Sequence, residues 1–182
     1  MDTKTQILLF DDVVSNDLCD SIRTVIDKTD GITIDYGERQ NLKCKLVFTK
    51  DIKNTQLSKL LDDELYNIVS NIVHKIRENA PSVIIGGDTG YLLRKIHGAT
   101  RLHVDHVIPE KDKPHSPRSM SVIIALNDDY EGGELCFPNQ DFKIKLKKGQ
   151  AIAFPPYWTH PHYTNKPLNG TFRYTVNTWL TE

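Results

Sequence analysis

The hydropathy pattern from Val83 to the end of the chain alternates with a period of two and is interrupted by Gly, Asn and Pro. Such alternation is typical of β-strands with one buried face, and the polar breaks predict turns between them. The predicted strands are Val83–Ile85, Tyr91–Ile96, Met120–Leu126, Glu134–Phe137, Phe142–Leu146, Ala151–Phe154 and Phe172–Leu180. Many short antiparallel strands of this kind favour a jelly-roll sandwich or barrel.

The first part of the chain carries a helical pattern instead. After a short apolar strand at residues 7–10, Ser15 is the predicted N-cap of a helix with one apolar face. Apolar residues recur at three- and four-residue steps between Leu57 and Ile76, which predicts a second, longer helix that ends near Pro81. We expect both helices to cover one outer face of the sheet, in a mainly β fold with flanking helices.

Composition excludes several classes of protein. The 182 residues include 23 basic and 24 acidic side chains, so a large basic surface for nucleic acid is not expected. No apolar stretch reaches the roughly 20 residues that cross a bilayer, which predicts a cytoplasmic protein without a membrane partner. The cysteines lack metal-binding spacing and are predicted to be buried free thiols; they are Cys19, Cys44 and Cys136. The charged, proline-broken residues 111–117 are predicted to form a mobile loop.

One histidine–carboxylate pair stands out among the polar residues of the strand-rich part. On an extended segment the side chains of His103 and Asp105 point to the same side, so they could bind one ion. His160 follows an apolar strand and a Phe-Pro-Pro segment later in the chain. Two histidines and a carboxylate are the ligands that hold non-haem iron(II) on one face. The alternative for His103 and Asp105 alone is a hydrogen-bonded surface turn.

The last predicted strand carries an arginine on its inward face. Alternation places Arg173, Thr175, Asn177 and Trp179 on one side of this strand. An arginine inside a small barrel is costly unless it has an anionic partner. A bound carboxylate would supply that partner through a bidentate contact.

These motifs belong to a longer ordered set. In chain order the set comprises His103-x-Asp105, Arg118, Ser121–Asn127, Tyr130–Phe137, Lys148-Gly149, Phe154-Pro155, His160, Gly170, Arg173, Tyr174 and Trp179. From Tyr91 to Leu180 the chain therefore resembles the iron(II)- and 2-oxoglutarate-dependent oxygenases, specifically the prolyl 4-hydroxylase-like branch. Phe10-Asp11-Asp12 also resembles the start of that branch.

The resemblance implies a double-stranded β-helix core of the jelly-roll or cupin-like kind. It implies that His103, Asp105 and His160 bind Fe(II), and that Arg173 binds the distal carboxylate of 2-oxoglutarate. O2 would be the second cosubstrate and ascorbate a reductant. The chain would be a single dioxygenase domain over residues 1–182, with a supporting region at 1–82 and the catalytic double-stranded β-helix at 83–182.

The chain departs from the branch at two places. A tyrosine that often helps hold the cosubstrate is replaced by Ala125, and Tyr91 or Ser121 is expected to supply the missing hydroxyl as a cofactor-binding residue. Ordinary strand packing is the alternative for both. His162 lies two residues after His160; the Phe-Pro spacing favours His160 as the ligand and gives His162 a supporting or substrate-contacting role.

The resemblance implies hydroxylation of a C–H bond, with a prolyl residue of a peptide or protein as the expected substrate. A free amino acid or other small molecule is the alternative substrate, and a non-catalytic, cupin-like metal-binding module is the alternative class. Nucleic-acid demethylation is disfavoured because Trp179 occupies the position, six residues after Arg173, where those enzymes carry a second arginine.

Overall fold

The computed structural model of the chain describes residues 6–35, 43–106 and 117–182. The predicted loop at 111–117 therefore lies outside the described residues except for Pro117. The helices are α1 (Asn16–Lys28), α2 (Thr55–Asn79) and two short 3₁₀ helices at Thr49–Asp51 and Pro138–Gln140. The strands are β1 (Leu8–Phe10), β2 (Ile32–Asp35), β3 (Lys43–Phe48), β4 (Gly87–Asp88), β5 (Leu92–Ile96), β6 (Thr100–His103), β7 (Arg118–Ala125), β8 (Leu135–Phe137), β9 (Phe142–Ile144), β10 (Ala151–Phe154), β11 (His162–Thr164) and β12 (Arg173–Thr181).

Both predicted helices are confirmed, and their first turns are capped by side chains. Ser15 Oγ accepts a hydrogen bond from the backbone N–H of Leu18 at the start of α1. Asn54 Oδ1 accepts one from Leu57 N–H at the start of α2. These caps satisfy backbone donors that have no partner within a helix. The apolar faces of both helices join the main hydrophobic core against the larger sheet.

The strands form two antiparallel sheets that face each other. The larger sheet has the order β1-β10-β7-β12-β5-β3-β2, with β4 paired to β12, and the smaller has the order β6-β11-β8-β9. A second apolar cluster, which includes Phe137 of the smaller sheet and Phe154 of the larger, fills part of the space between them. The predicted mainly β fold is therefore confirmed.

Alternation along the central strands decides which side chains face the smaller sheet. On β7, Val122 and Ile124 pack in the core under the helices, whereas Ile123 lines the space between the sheets. Two strands that bound this space, β6 and β11, were not predicted from the sequence. Both are short and polar, so they lack the apolar alternation on which strand prediction depends.

The fold also bears on the predictions about the cysteines and about membrane-spanning segments. The cysteines are buried free thiols, as predicted. Among the described residues, no helix combines the length and apolarity that a membrane span requires.

Candidate active site

Strand pairing brings one carboxylate and two histidines together at the opening between the sheets. His162 is the first residue of β11 and His103 the last of β6, and the two are paired across the strands. The distance from His103 Nε2 to Asp105 Oδ1 is 3.5 Å, and that from His162 Nε2 to the same oxygen is 3.7 Å. The three candidate ligand atoms all lie within 4.8 Å of one another. A single ion could therefore contact all three side chains.

The structure does not bring His160 to this cluster. The third predicted ligand is therefore corrected from His160 to His162. His160 lies in the turn before β11, where its Nδ1 is 2.9 Å from Thr159 Oγ1. Its backbone carbonyl is 3.1 Å from Nδ1 of His162. The positions expected for the two histidines are thus reversed. His162 faces the carboxylate of Asp105, and the backbone carbonyl of His160 orients the ring of His162. The reason is the register of β11 on β6, which pairs position 162 with His103.

Backbone carbonyls orient both histidine rings of the cluster. Nδ1 of His103 lies 2.8 Å from the carbonyl of Arg101, and Nδ1 of His162 contacts the carbonyl of His160. A carbonyl can only accept, so each Nδ1 carries the proton in the neutral ring and each Nε2 presents a lone pair towards Asp105. Metal-binding histidines usually have such a partner on the second nitrogen. The donor set therefore fits ferrous iron in the two-histidine, one-carboxylate arrangement.

Asp105 is kept ionised by the groups around it. Burial alone would raise the pKa of Asp105. Without a metal ion, however, the protonated forms of His103 and His162 interact favourably with the carboxylate, and together with the contacts of Ser121 and Trp179 they hold its pKa well below the ordinary value. Burial lowers the pKa of His162, partly opposed by the charge of Asp105. An ionised carboxylate and a neutral imidazole are the forms that bind a metal ion.

Ser121 contacts Asp105 of the candidate metal site, whereas the sequence assigned it to cosubstrate binding. Its Oγ donates a hydrogen bond of 2.7 Å to Asp105 Oδ2, the oxygen that does not face the histidines. Arg118 donates a second bond, of 2.6 Å, to the backbone carbonyl of Asp105. These contacts hold Asp105 in place from β7, across the gap between the sheets.

We expect Ser121→Ala to weaken ferrous-ion binding by about 10- to 100-fold, the usual cost of losing a partner behind a metal ligand. Titration of the metal-free protein with Fe(II) under anaerobic conditions measures this change. Ser119→Ala is the matched control, because Ser119 is also buried on β7 but donates to the carbonyl of Leu180. Equal iron affinities of the two variants would contradict the role of Ser121.

A cavity of about 240 Å³ leads from the histidines and Asp105 into the space between the sheets. The structure places all four side chains expected on the inward face of β12 on its wall; they are Arg173, Thr175, Asn177 and Trp179. Arg173 is buried and donates one hydrogen bond of 2.9 Å to the carbonyl of Gly133, while its buried Nε has no partner. Burial lowers the pKa of Arg173 to about 10, so the guanidinium stays charged at neutral pH. A buried cation with an unused donor fits a carboxylate ligand.

Tyr91 does not line the cavity, which corrects its expected role as a cofactor-binding residue. Residues of β5 alternate, so Leu92 and Arg94 face the cavity while Leu93 faces the helices. Tyr91 shares the helix-facing side, where its hydroxyl donates to Asp88 Oδ2 at 3.2 Å. Its hydroxyl therefore stabilises the core side of the sheet.

A model of the 2OG-Fe(II) oxygenase superfamily matches residues 91–181, which are half of the chain. The chain therefore belongs to this superfamily. The matched residues contain His103, Asp105, His162 and Arg173, the groups that meet around the cavity.

Curated relatives agree with this assignment. A PKHD-type hydroxylase of Prochlorococcus marinus strain NATL1A is 36% identical over 112 residues, which are 59% of this chain and 48% of that protein. A second PKHD-type hydroxylase, of strain NATL2A, is 35% identical over 111 residues, with the same shares of the two chains. The chain thus spans about half the length of the curated relatives it matches.

Two solved structures share the fold across nearly the whole chain. The viral collagen prolyl hydroxylase of Paramecium Bursaria Chlorella virus-1 matches with a TM-score of 0.70 and 16% identity, covering 97% of this chain and 96% of that one. A prolyl hydroxylase of Trichoplax adhaerens, in complex with a hypoxia inducible factor peptide, has a TM-score of 0.71 and 13% identity, covering 97% and 84%. The two facing sheets therefore form the double-stranded β-helix of these oxygenases.

Proposed function

We propose that this protein is a 2-oxoglutarate-dependent dioxygenase that hydroxylates a C–H bond, with Fe(II) held by His103, Asp105 and His162. The proposal rests on a single cavity that contains both a candidate metal site and a site for a carboxylate. Three ligand atoms of the right chemistry meet at one end. The guanidinium of Arg173, whose buried Nε has no hydrogen-bond partner among the described residues, lies within the cavity wall. Neither a packing role nor a surface ion pair accounts for both.

The reaction consumes one molecule each of substrate, O2 and 2-oxoglutarate, and yields the hydroxylated substrate, succinate and CO2. The ferrous ion, when bound, supplies the activation of oxygen. The protein supplies position: Arg173 binds the distal carboxylate of the cosubstrate through a charge-assisted contact. Ser121 and the carbonyls of Arg101 and His160 keep the ligand side chains aimed at one point.

We propose a prolyl residue of a peptide or protein as the substrate. The solved structures with this fold are named as prolyl hydroxylases, one of them in complex with a peptide. Exposed apolar side chains in the segments that carry the candidate metal ligands also favour a polypeptide substrate. Leu102, next to His103, is 55% exposed, and Trp158, in the turn before His160, is 81% exposed. Such residues provide the apolar contacts that peptide recognition requires.

We propose that residues 1–82 support the catalytic region 83–182 within a single domain. Two strands of the first region extend the larger sheet: β1 pairs with β10, and β3 pairs with β5. The cytoplasmic location stays a prediction.

The function is tested by succinate formation from 2-oxoglutarate with Fe(II), O2 and ascorbate as reductant. We expect prolyl peptides to raise succinate release and to gain one oxygen atom, which mass spectrometry detects. Asp105→Ala should abolish both effects and leave the fold intact, because the carboxylate lies at the mouth of the cavity. If iron binds but 2-oxoglutarate leaves the iron affinity unchanged, the chain is a metal-binding module without turnover.

A further inference from the structure

A second arginine, Arg94, lines the same cavity as Arg173 and has no assigned role. It lies on β5, paired with Thr175 of β12 on one side and Leu46 of β3 on the other. Because alternate residues of β5 face the same way, Arg94 shares the cavity side with Leu92. It therefore lies one strand away from the row of β12 side chains that includes Arg173.

The side chain of Arg94 contains a buried hydrogen-bond donor that none of the described residues satisfies. Its Nε is buried and has no hydrogen-bond partner. Among the described residues that line the cavity, Asp105 is the sole carboxylate, and it is already engaged by His103, His162 and Ser121. Buried donors without partners are rare in native proteins and need an explanation. A ligand that brings its own negative charge would provide one.

The position of Arg94 along the sheet lies between the two ends of the cavity. The register pairs Arg173 with Ile96, and Arg94 with Thr175, so the two arginines are offset by two residues. Two residues of a strand span about 6–7 Å. The pKa of Arg173 is consistent with this short separation, because burial lowers it most and the charge of Arg94 lowers it further. Arg94 is thus close enough to Arg173 for both guanidiniums to contact one small ligand in the cavity.

We propose that Arg94 is a second carboxylate-binding residue, which contacts the carboxylate of 2-oxoglutarate next to its keto group while Arg173 contacts the distal one. This inference rests on the proposed function. Two guanidiniums that face one cavity repel each other, and a dianion between them removes that repulsion. The five-carbon dicarboxylate carries one carboxylate at each end, which matches two cations offset along the sheet.

Binding of 2-oxoglutarate and two single-carboxylate analogues tests the proposal without turnover. In 4-oxopentanoate a methyl group replaces the carboxylate next to the ketone, and in 2-oxopentanoate a methyl group replaces the distal carboxylate. Affinities are measured by calorimetry on protein loaded with Mn(II) under anaerobic conditions. We expect Arg94→Gln to weaken binding of 2-oxoglutarate and 2-oxopentanoate by about tenfold or more, and to leave 4-oxopentanoate unchanged.

Arg173→Gln is the matched control and should give the opposite pattern, with losses for 2-oxoglutarate and 4-oxopentanoate only. Arg94→Lys should restore part of the affinity because it keeps the charge without the planar fork. Unchanged 2-oxoglutarate binding in Arg94→Gln would overturn the inference and leave the proposed function standing. Equal losses for both analogues would overturn it too, since they would indicate a general change of the cavity. If the wild-type protein binds no 2-oxoglutarate, the proposed function fails together with the inference.

Discussion

His162→Ala will lose ferrous-ion binding and succinate formation, whereas His160→Ala will keep iron in the site. His162 Nε2 is one of three ligand atoms that face a common point, so its removal leaves two. Loss of a partner behind a ligand costs 10- to 100-fold in metal affinity, and we expect loss of the ligand itself to cost more than about 100-fold. His160 orients His162 through its backbone carbonyl, which alanine retains.

Anaerobic titration with Fe(II), followed by the succinate assay, measures the difference between the two histidine variants. Both side chains are buried, so thermal unfolding of each metal-free variant is recorded beside wild type to separate a loss of folding from a loss of binding. The assignment of His162 is wrong if His160→Ala loses iron while His162→Ala retains it. In that case the sequence-based choice of His160 would stand.

Arg173→Ala should mainly raise the concentration of 2-oxoglutarate needed for turnover. The variant loses a charge-assisted contact of about 1.5–3 kcal/mol, which corresponds to an increase of roughly 10- to 150-fold in the KM for 2-oxoglutarate. The iron affinity measured without cosubstrate should stay near wild type, because Arg173 is not among the three grouped ligands. Steady-state succinate formation against 2-oxoglutarate concentration measures the KM.

A surface arginine provides the control for the loss of a positive charge. Arg23 lies on α1 and forms an ion pair with Asp129 away from the cavity wall, so Arg23→Ala should leave the KM unchanged. Arg173→Lys should fall between wild type and Arg173→Ala, since lysine keeps the charge but presents a single ammonium group. A wild-type KM in Arg173→Ala would mean that another cation, with Arg94 the first to test, holds the distal carboxylate.

The sequence predicted strand bounds well for two strands in the buried part of the larger sheet. β10 has the predicted bounds, Ala151–Phe154, and β12 begins and ends within one residue of its prediction. Both lie in the centre of the larger sheet or beside it, where nearly every residue is buried and the register is strongly specified. The strand predicted at Val83–Ile85 is not formed. Three apolar residues next to a Pro-Ser turn do not distinguish a strand from a packed loop.

The polar strands of the smaller sheet were the part that the sequence did not predict. β11 has three residues, His162–Thr164, with no apolar alternation, and its existence depends on pairing with β6 and β8. The same omission led to the choice of His160, since a segment without a predicted strand has no defined register. A weak signal was present: Tyr163 and Thr164, which follow His162, are residue types that strands favour.

The order of amino acids alone was enough to predict a mainly β domain with two helices on one face, a histidine–carboxylate pair at 103 and 105, and an inward Arg173. Each of these depends on periodicity within one segment, which is a local property of the chain. The choice between His160 and His162, the contact of Ser121 with Asp105, and the shared cavity of Arg94 and Arg173 depend on how separate strands pair and face each other. Contacts between distant segments are absent from any single stretch of sequence, so only the tertiary structure could decide them.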